Sequence, residues 1–271
     1  MDVKITKETI KALVHTAVES FAAGFRARHN GEVDNPEGII NMKIHNVFIE
    51  ALGKEIQYYT ALVRSLDSSL GNMLEALAIN IAKINFEVKQ DVAGALAPEQ
   101  TALIAALLEK YKRREKNPAT TDYQLLRAVE IDTHKTPIKR HDSDYYLIDR
   151  ETNKHHLIEL KIGGDLDNKK ARSEKEAILE QFAILSNTLP KETEINIYFA
   201  TAYNRYGEDK EWRQARVRQF FAPDELMIGK DFWNFVSKRA DGYGIVLEAY
   251  RESAHLIKAA LDDIRKTYLG V

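Results

Sequence analysis

Residues 144–161 read Asp-Tyr-Tyr-Leu-Ile-Asp-Arg-Glu-Thr-Asn-Lys-His-His-Leu-Ile-Glu-Leu-Lys. Two short runs rich in aromatic and β-branched residues, 144–148 and 156–161, flank the polar stretch 150–154. That pattern predicts a β-hairpin. Strand residues i and i+2 project from the same face, so Glu159 and Lys161 share a face and Leu160 lies behind them. Pairing the two strands can bring Asp144 beside Glu159. Two carboxylates and an ammonium on one sheet face suit metal-assisted phosphodiester hydrolysis. Mg2+ takes one or two carboxylates, keeps several waters and leaves room for phosphate oxygens. The expected metal ligands are Asp144, Glu159 and the Leu160 carbonyl.

Outward from the hairpin, Gly163-Gly164 breaks the strand pattern. A helix is expected over 171–187, then a buried strand over 194–200. A further strand is expected at 136–140. Helices return at 209–220, 230–240 and 245–268. Before residue 130 the chain reads helical: apolar residues Ile10, Leu13, Val14, Ala17, Val18 and Phe21 fall at helix spacing. Ser68 and Ser69 are expected to cap a new helix, and Pro98 to open another. The expected organisation is a helical region, 1–130, and an α/β core with C-terminal helices, 131–271.

Composition narrows the chemistry. The 271 residues include no cysteine, which excludes disulfides, thiol catalysis and iron–sulfur clusters and fits a cytoplasmic protein. The charged, polar start lacks the apolar core of a signal peptide. No run of about 18 apolar residues marks a membrane span. A net charge of −2 argues against bulk-charge coating of nucleic acid but allows a local basic face.

A Glu-x-Lys or Asp-x-Lys triplet is weak by itself, since others occur at Asp2, Glu87, Asp167 and Glu208. Glu87-Val88-Lys89 is the best decoy, but it follows a helix-like pattern and no hairpin precedes it. The context of 159–161 sets it apart: an acidic strand start, a hairpin, an apolar strand, then Gly-Gly and a helix. With Asp144, the triplet resembles the PD-(D/E)xK nuclease motif. The string Lys-Ile-Gly-Gly-Asp-Leu-Asp-Asn-Lys-Lys at 161–170 resembles type II restriction endonucleases, most closely the TdeIII-like group, and the likeness runs from about 68 to 233. One departure is the absence of Pro-Asp before the hairpin. The sequence there is His141-Asp142-Ser143-Asp144, which leaves Asp142 as a rival to Asp144; direct continuation into Tyr145-Tyr146-Leu147-Ile148 favours Asp144.

The resemblance implies an α/β (α+β) fold with a mixed central sheet. It implies Mg2+-dependent, site-specific hydrolysis of double-stranded DNA by a homodimer, with G-G-N-C-C as the associated target and a separate methyltransferase in the same system. It also implies two further active-site residues, Glu75 on a helix and Gln181 in the helix after Lys161. The loop 165–172 follows the catalytic strand directly. In it Asn168 can bond a base edge, and Lys169, Lys170 and Arg172 can bind phosphates; Asp165 and Asp167 belong to the same DNA-facing loop. Asn204, Arg213 and Arg216 lie in a second basic, aromatic segment expected to face DNA. Adjacent His155 and His156 alternate across the strand, which argues against a shared ligand role. The alternatives are a repair or junction nuclease on the same core and a catalytically silent DNA-binding module.

Overall fold

The computed structural model describes residues 6–133 and 135–270, apart from the side chain of Asp144. The chain forms two compact units, one of residues 82–240 and one of 5–81 with 241–271. The 82–240 unit takes in elements that lie before residue 130, and segment 241–271 goes with 5–81.

The unit of 5–81 and 241–271 is helical. Its elements are α1 (Lys7–Gly31), α2 (Val47–Glu50) and the start of α3 (Lys54–Asn85). Helix α1 opens on Thr6, whose hydroxyl accepts from the Thr9 backbone N–H at 3.1 Å. Ile10, Val14 and Val18 are fully buried, as the expected stripe requires. The serines at 68–69 do not cap a helix. Helix α3 runs straight through them, because the buried spacing Leu62, Met73, Leu77, Ile81 continues across that point.

The 82–240 unit holds a mixed five-stranded sheet in the order β1-β2-β3-β4-β5. It begins with β1 (Phe86–Ala95), α4 (Pro98–Lys112), α5 (Gln124–Arg127), β2 (Ile138–Asp149) and β3 (His155–Leu160). There follow α6 (Asn168–Thr188), β4 (Ile195–Thr201), α7 (Ala215–Arg218), β5 (Leu226–Ile228) and α8 (Lys230–Ser237). The last helix, α9 (Gly242–Leu269), belongs to the other unit and packs on α1. Strands β1, β2 and β3 pair antiparallel, and β3, β4 and β5 pair parallel. A parallel pair needs a long crossover, and α6 supplies it between β3 and β4.

Three expectations fail locally. Residues 86–95, within the region before 130 expected to be helical, form the edge strand β1. Charged Glu87, Lys89 and Asp91 keep that edge in water, which blunts pairing with other chains. The runs at 136–140 and 144–148 are one strand, β2, joined through an irregular register beside Lys89–Asp91. The helix expected over 209–220 shrinks to α7. Gly207 and Asp209 take positive φ there, and Asn204 braces the loop by donating to the Lys210 carbonyl at 2.7 Å.

The hairpin stands as expected. Asp149 accepts from the Glu151 and Thr152 backbone N–H groups, and Asn153 takes the left-handed conformation that closes the turn. One sheet face packs under α4 and α6 through Tyr146, Leu157, Ile197, Phe199, Ile178 and Phe182. The other face meets α8: Tyr145 contacts Phe232, and His156 packs among Phe86, Tyr198 and Phe235. His155 lies on the α6 side, with Nδ1 2.6 Å from the Tyr146 hydroxyl. The two histidines thus face opposite ways.

Burial lowers the His156 pKa to about 4. The unfolded chain takes up that proton near pH 6.5 and the folded chain does not, so stability is lost as pH falls from about 6.5 to 4. At full effect this amounts to about 3 kcal/mol. Denaturant midpoints measured across that range are expected to fall less steeply for His156→Phe than for the parent chain.

Candidate active site

The β2–β3 pairing aligns Tyr145 with Ile158 and Tyr146 with Leu157. Continued by one residue, this register sets position 144 opposite position 159. Opposed positions of an antiparallel pair share a face. The Asp144 side chain lies outside the described residues, so only its backbone place is fixed. The rival, Asp142, is exposed and pairs with Asp91 on the other neighbouring strand, β1. Both aspartates lie inside β2, so a strand start does not distinguish them; the register does.

Glu159 stands on the α6 face, aligned with Phe199 of β4. Its carboxylate, 12% exposed, forms an ion pair with Lys161. The chain stays alongside β4 after β3 ends: the Lys161 N–H donates to the Ala200 carbonyl at 3.0 Å, and the Ala202 N–H to Ile162 at 3.1 Å. That continuation holds Lys161 on the Glu159 face, while Leu160 is buried on the opposite one.

A residue the sequence reading missed joins them. Glu174, on the second turn of α6, lies 3.4 Å from the Lys161 ammonium. Lys161 is therefore held between carboxylates from a strand and a helix. Gln181 follows Glu174 by seven residues, two turns along the same side of α6. It is 3% exposed, and its Oε1 lacks a hydrogen-bond partner among the described residues. Only the i, i+7 spacing of Glu174 to the expected Gln181 could have signalled Glu174 beforehand. Glu75 sits half-buried on α3, in the helical unit.

The glycines after Lys161 serve packing. Gly164 has φ +64°, and an added Cβ would lie 2.7 Å from Thr201 Cγ2 and 3.3 Å from the Trp212 ring. Beside Gly163 the Tyr203 hydroxyl fills the same kind of space at 2.8 Å. The close approach these glycines permit is thus to their own chain.

Within the following loop the acidic residues have structural partners. Asp165 accepts from Arg205 at 2.8 Å and from Gln214 at 2.8 Å; the Arg205 bond in particular holds its carboxyl below the usual range. Asp167 caps α6 by accepting from the Lys170 N–H at 2.8 Å. Asn168, Lys169 and Lys170 are exposed on the first turn, and Arg172 is half-buried. In the second segment Asn204 stabilises its own loop, as described above, and Arg213 lies over the Tyr206 ring at 5.1 Å. Arg216 is exposed.

The family model described as "Type II restriction endonuclease, HinfI" matches residues 6–254. The chain belongs to the HinfI restriction endonuclease family. No curated protein matches it. HinfI-family membership makes the chain a DNA-cleaving hydrolase that acts on double-stranded DNA, and no described helix is long and apolar enough to cross a membrane. The mixed α/β architecture, with helices at both ends of the chain, is consistent with a nuclease of this family.

The donor set suits a hard cation. It offers carboxylates and no thiol, and Mg2+ needs only one or two protein carboxylates. Among the described residues no three His, Asp or Glu side chains form a metal-holding group. Glu159 with position 144 is the pair that fits.

Proposed function

We propose that this HinfI-family chain is a Mg2+-dependent type II restriction endonuclease with a PD-(D/E)xK site built from Asp144, Glu159 and Lys161. The observation that carries the reading is the register: position 144 stands opposite Glu159, and Lys161 pairs with Glu159 on the same face. Asp144, Glu159 and the Leu160 carbonyl would hold the metal. When bound, Mg2+ polarises the scissile phosphoryl group and lowers the pKa of a water. Lys161 orients the attacking water and offsets the charge that develops on the phosphate oxygens. Glu174 holds the Lys161 ammonium on this face, and Gln181 orients groups around it.

Exposed Asn168 would read a base edge, while Lys169, Lys170, Arg172, Arg213 and Arg216 contact phosphates. Asp165, Asp167 and Asn204 contribute by shaping the loops. The likeness of the 161–170 string to TdeIII-like enzymes extends the proposal to a G-G-N-C-C target, cut by a cytoplasmic homodimer with a companion methyltransferase.

Plasmid digestion with and without Mg2+ tests the reading. Discrete fragments that need Mg2+ support it, and their map gives the target. A smear or nicking at branched structures would replace it with a repair nuclease, and no cleavage with a binding module. A second experiment separates chemistry from binding. Lys161→Ala is expected to lower turnover by about 10²–10³-fold while specific DNA affinity in Ca2+ stays nearly unchanged. A large loss of affinity in a filter-binding titration would make Lys161 a DNA contact instead.

A further inference from the structure

We propose that a pocket of the helical unit, formed by α1, the 3-10 turn Asn41–His45 and α3, binds a phosphate of the DNA backbone, separately from the loops around the nuclease site. The pocket has a volume of about 500 Å3 and lies wholly within the unit of 5–81 and 241–271. Three cations line it: Arg28 from α1, Lys43 from the turn and Arg64 from α3. Arg64 and Ser68 stand one turn apart on α3, as do Ser65 and Ser69, so a guanidinium and three hydroxyls share one helix face. The inference rests on the family reading that the chain acts on double-stranded DNA, and on no part of the metal site.

Charge and hydrogen bonding both select a phosphate. Among the lining residues the carboxylate is that of Glu37, which is exposed. Arg28 shares its charge with Glu32 at 3.4 Å, but Lys43 and Arg64 make no ion pair among the described residues. In a chain of net charge −2 this excess of positive charge is a local feature of one face. One donor is also fixed in place. Ser65 is buried, and its Oγ lies 3.0 Å from Nε2 of the fully buried His29. The Nδ1 of His29 has no partner among the described residues. A buried N–H without an acceptor is rarer than a bare lone pair, so the ring proton sits on Nε2 and donates to Ser65. The Ser65 hydroxyl proton is then free to donate into the pocket. Arginine, lysine and serine hold phosphate oxygens without reading sequence. Ile39 and Met42 add partly exposed apolar surface to the lining, which suits the deoxyribose beside a backbone phosphate and not a free inorganic ion.

Fluorescence anisotropy of a labelled duplex in EDTA, followed across a salt series, tests the pocket without cleavage. Lys43→Ala and Arg64→Ala are each expected to weaken binding about fivefold near 0.15 M salt, alike for every duplex sequence, and to lower the salt slope by about one unit. Lys43→Ala/Arg64→Ala should lower it by about two units and weaken binding roughly 25-fold. Arg26→Ala, at an exposed position on the far side of α1 from Arg28, should change neither. Circular dichroism spectra of all these variants should match the parent. Retained affinity and slope in the double variant overturn the proposal. So does an equal loss in Arg26→Ala, which would reduce the effect to bulk charge. Calorimetric titration with inorganic phosphate separates the two sources of the anion: heat that the double variant loses, with duplex binding unaltered, would give the pocket to a free ion and overturn the DNA assignment. A parent chain that binds duplex through this pocket yet fails to cleave in Mg2+ would sink the nuclease reading and leave this one standing; a parent that binds no duplex would sink both.

Discussion

Glu159→Gln is expected to lower DNA cleavage by about 10³-fold, as loss of a group stabilising transition-state charge does, with the melting transition nearly unchanged. Glutamine has the same shape and still accepts from Lys161, so the small exposed fraction of this side chain repacks without a void. What it lacks is the charge that binds a divalent cation and pairs with the ammonium. The chain carries its own control. Glu87-Val88-Lys89 has the same triplet, also on a strand, and Glu87 pairs with Lys89 at 3.3 Å. It sits exposed on the edge strand, with no aspartate register and no helix carboxylate beside its lysine. Glu87→Gln is therefore expected to cleave within about twofold of the parent, since surface changes away from the site cost little. Single-turnover rates of the two variants decide the matter; equal losses would show that the triplet is not what distinguishes 159–161.

The largest effect on stability is expected at Lys175. Lys175 and Glu225 are both fully buried, and the ammonium lies 2.7 and 2.8 Å from the two carboxylate oxygens. Glu225 also accepts from the Tyr123 hydroxyl at 2.6 Å and the Ala222 N–H at 2.7 Å. Burial, and then the Glu225 charge, pushes the Tyr123 phenol well up. The ammonium rests on the Tyr123 and Phe221 rings at 4.7 and 4.5 Å. This pair ties α6, which carries Glu174 and Gln181, to the segment entering β5. Lys175→Met leaves a buried carboxylate without its counter-charge, at a cost of about 3–5 kcal/mol. In a chain of this size that lowers Tm by about 10 °C. Lys175→Met/Glu225→Gln removes the stranded charge and should recover much of the loss. Thermal melts of the two variants measure both effects; a Lys175→Met chain that melts with the parent would contradict the account.

The hairpin, the crossover helix and the strand at 195–201 were legible because their periodicity, turn chemistry and length agree. Glu159 and Lys161 were legible for the same reason: a two-residue period fixes which side chains share a face. The edge strand β1 was not. It follows a long helix without a break, and its charged outer face erases the alternation that marks a half-buried strand. The loop 204–214 misled in the opposite way. Its arginines and aromatics fall at helix-like spacing, yet Gly207 and the Asn204 bond to Lys210 fix it as a loop. Glu174 carried only one sequence signal, its seven-residue spacing from Gln181, because its approach to Lys161 depends on where α6 crosses the sheet.

The most direct test of the proposed site compares Asp142→Asn with Asp144→Asn in single-turnover cleavage of one cognate duplex at saturating Mg2+. The register that sets position 144 opposite Glu159 predicts a loss of about 10³-fold for Asp144→Asn. It predicts a rate within about threefold of the parent for the exposed Asp142→Asn. The reverse result, or a fully active Asp144→Asn chain, would contradict the assignment of the metal site to Asp144 and Glu159.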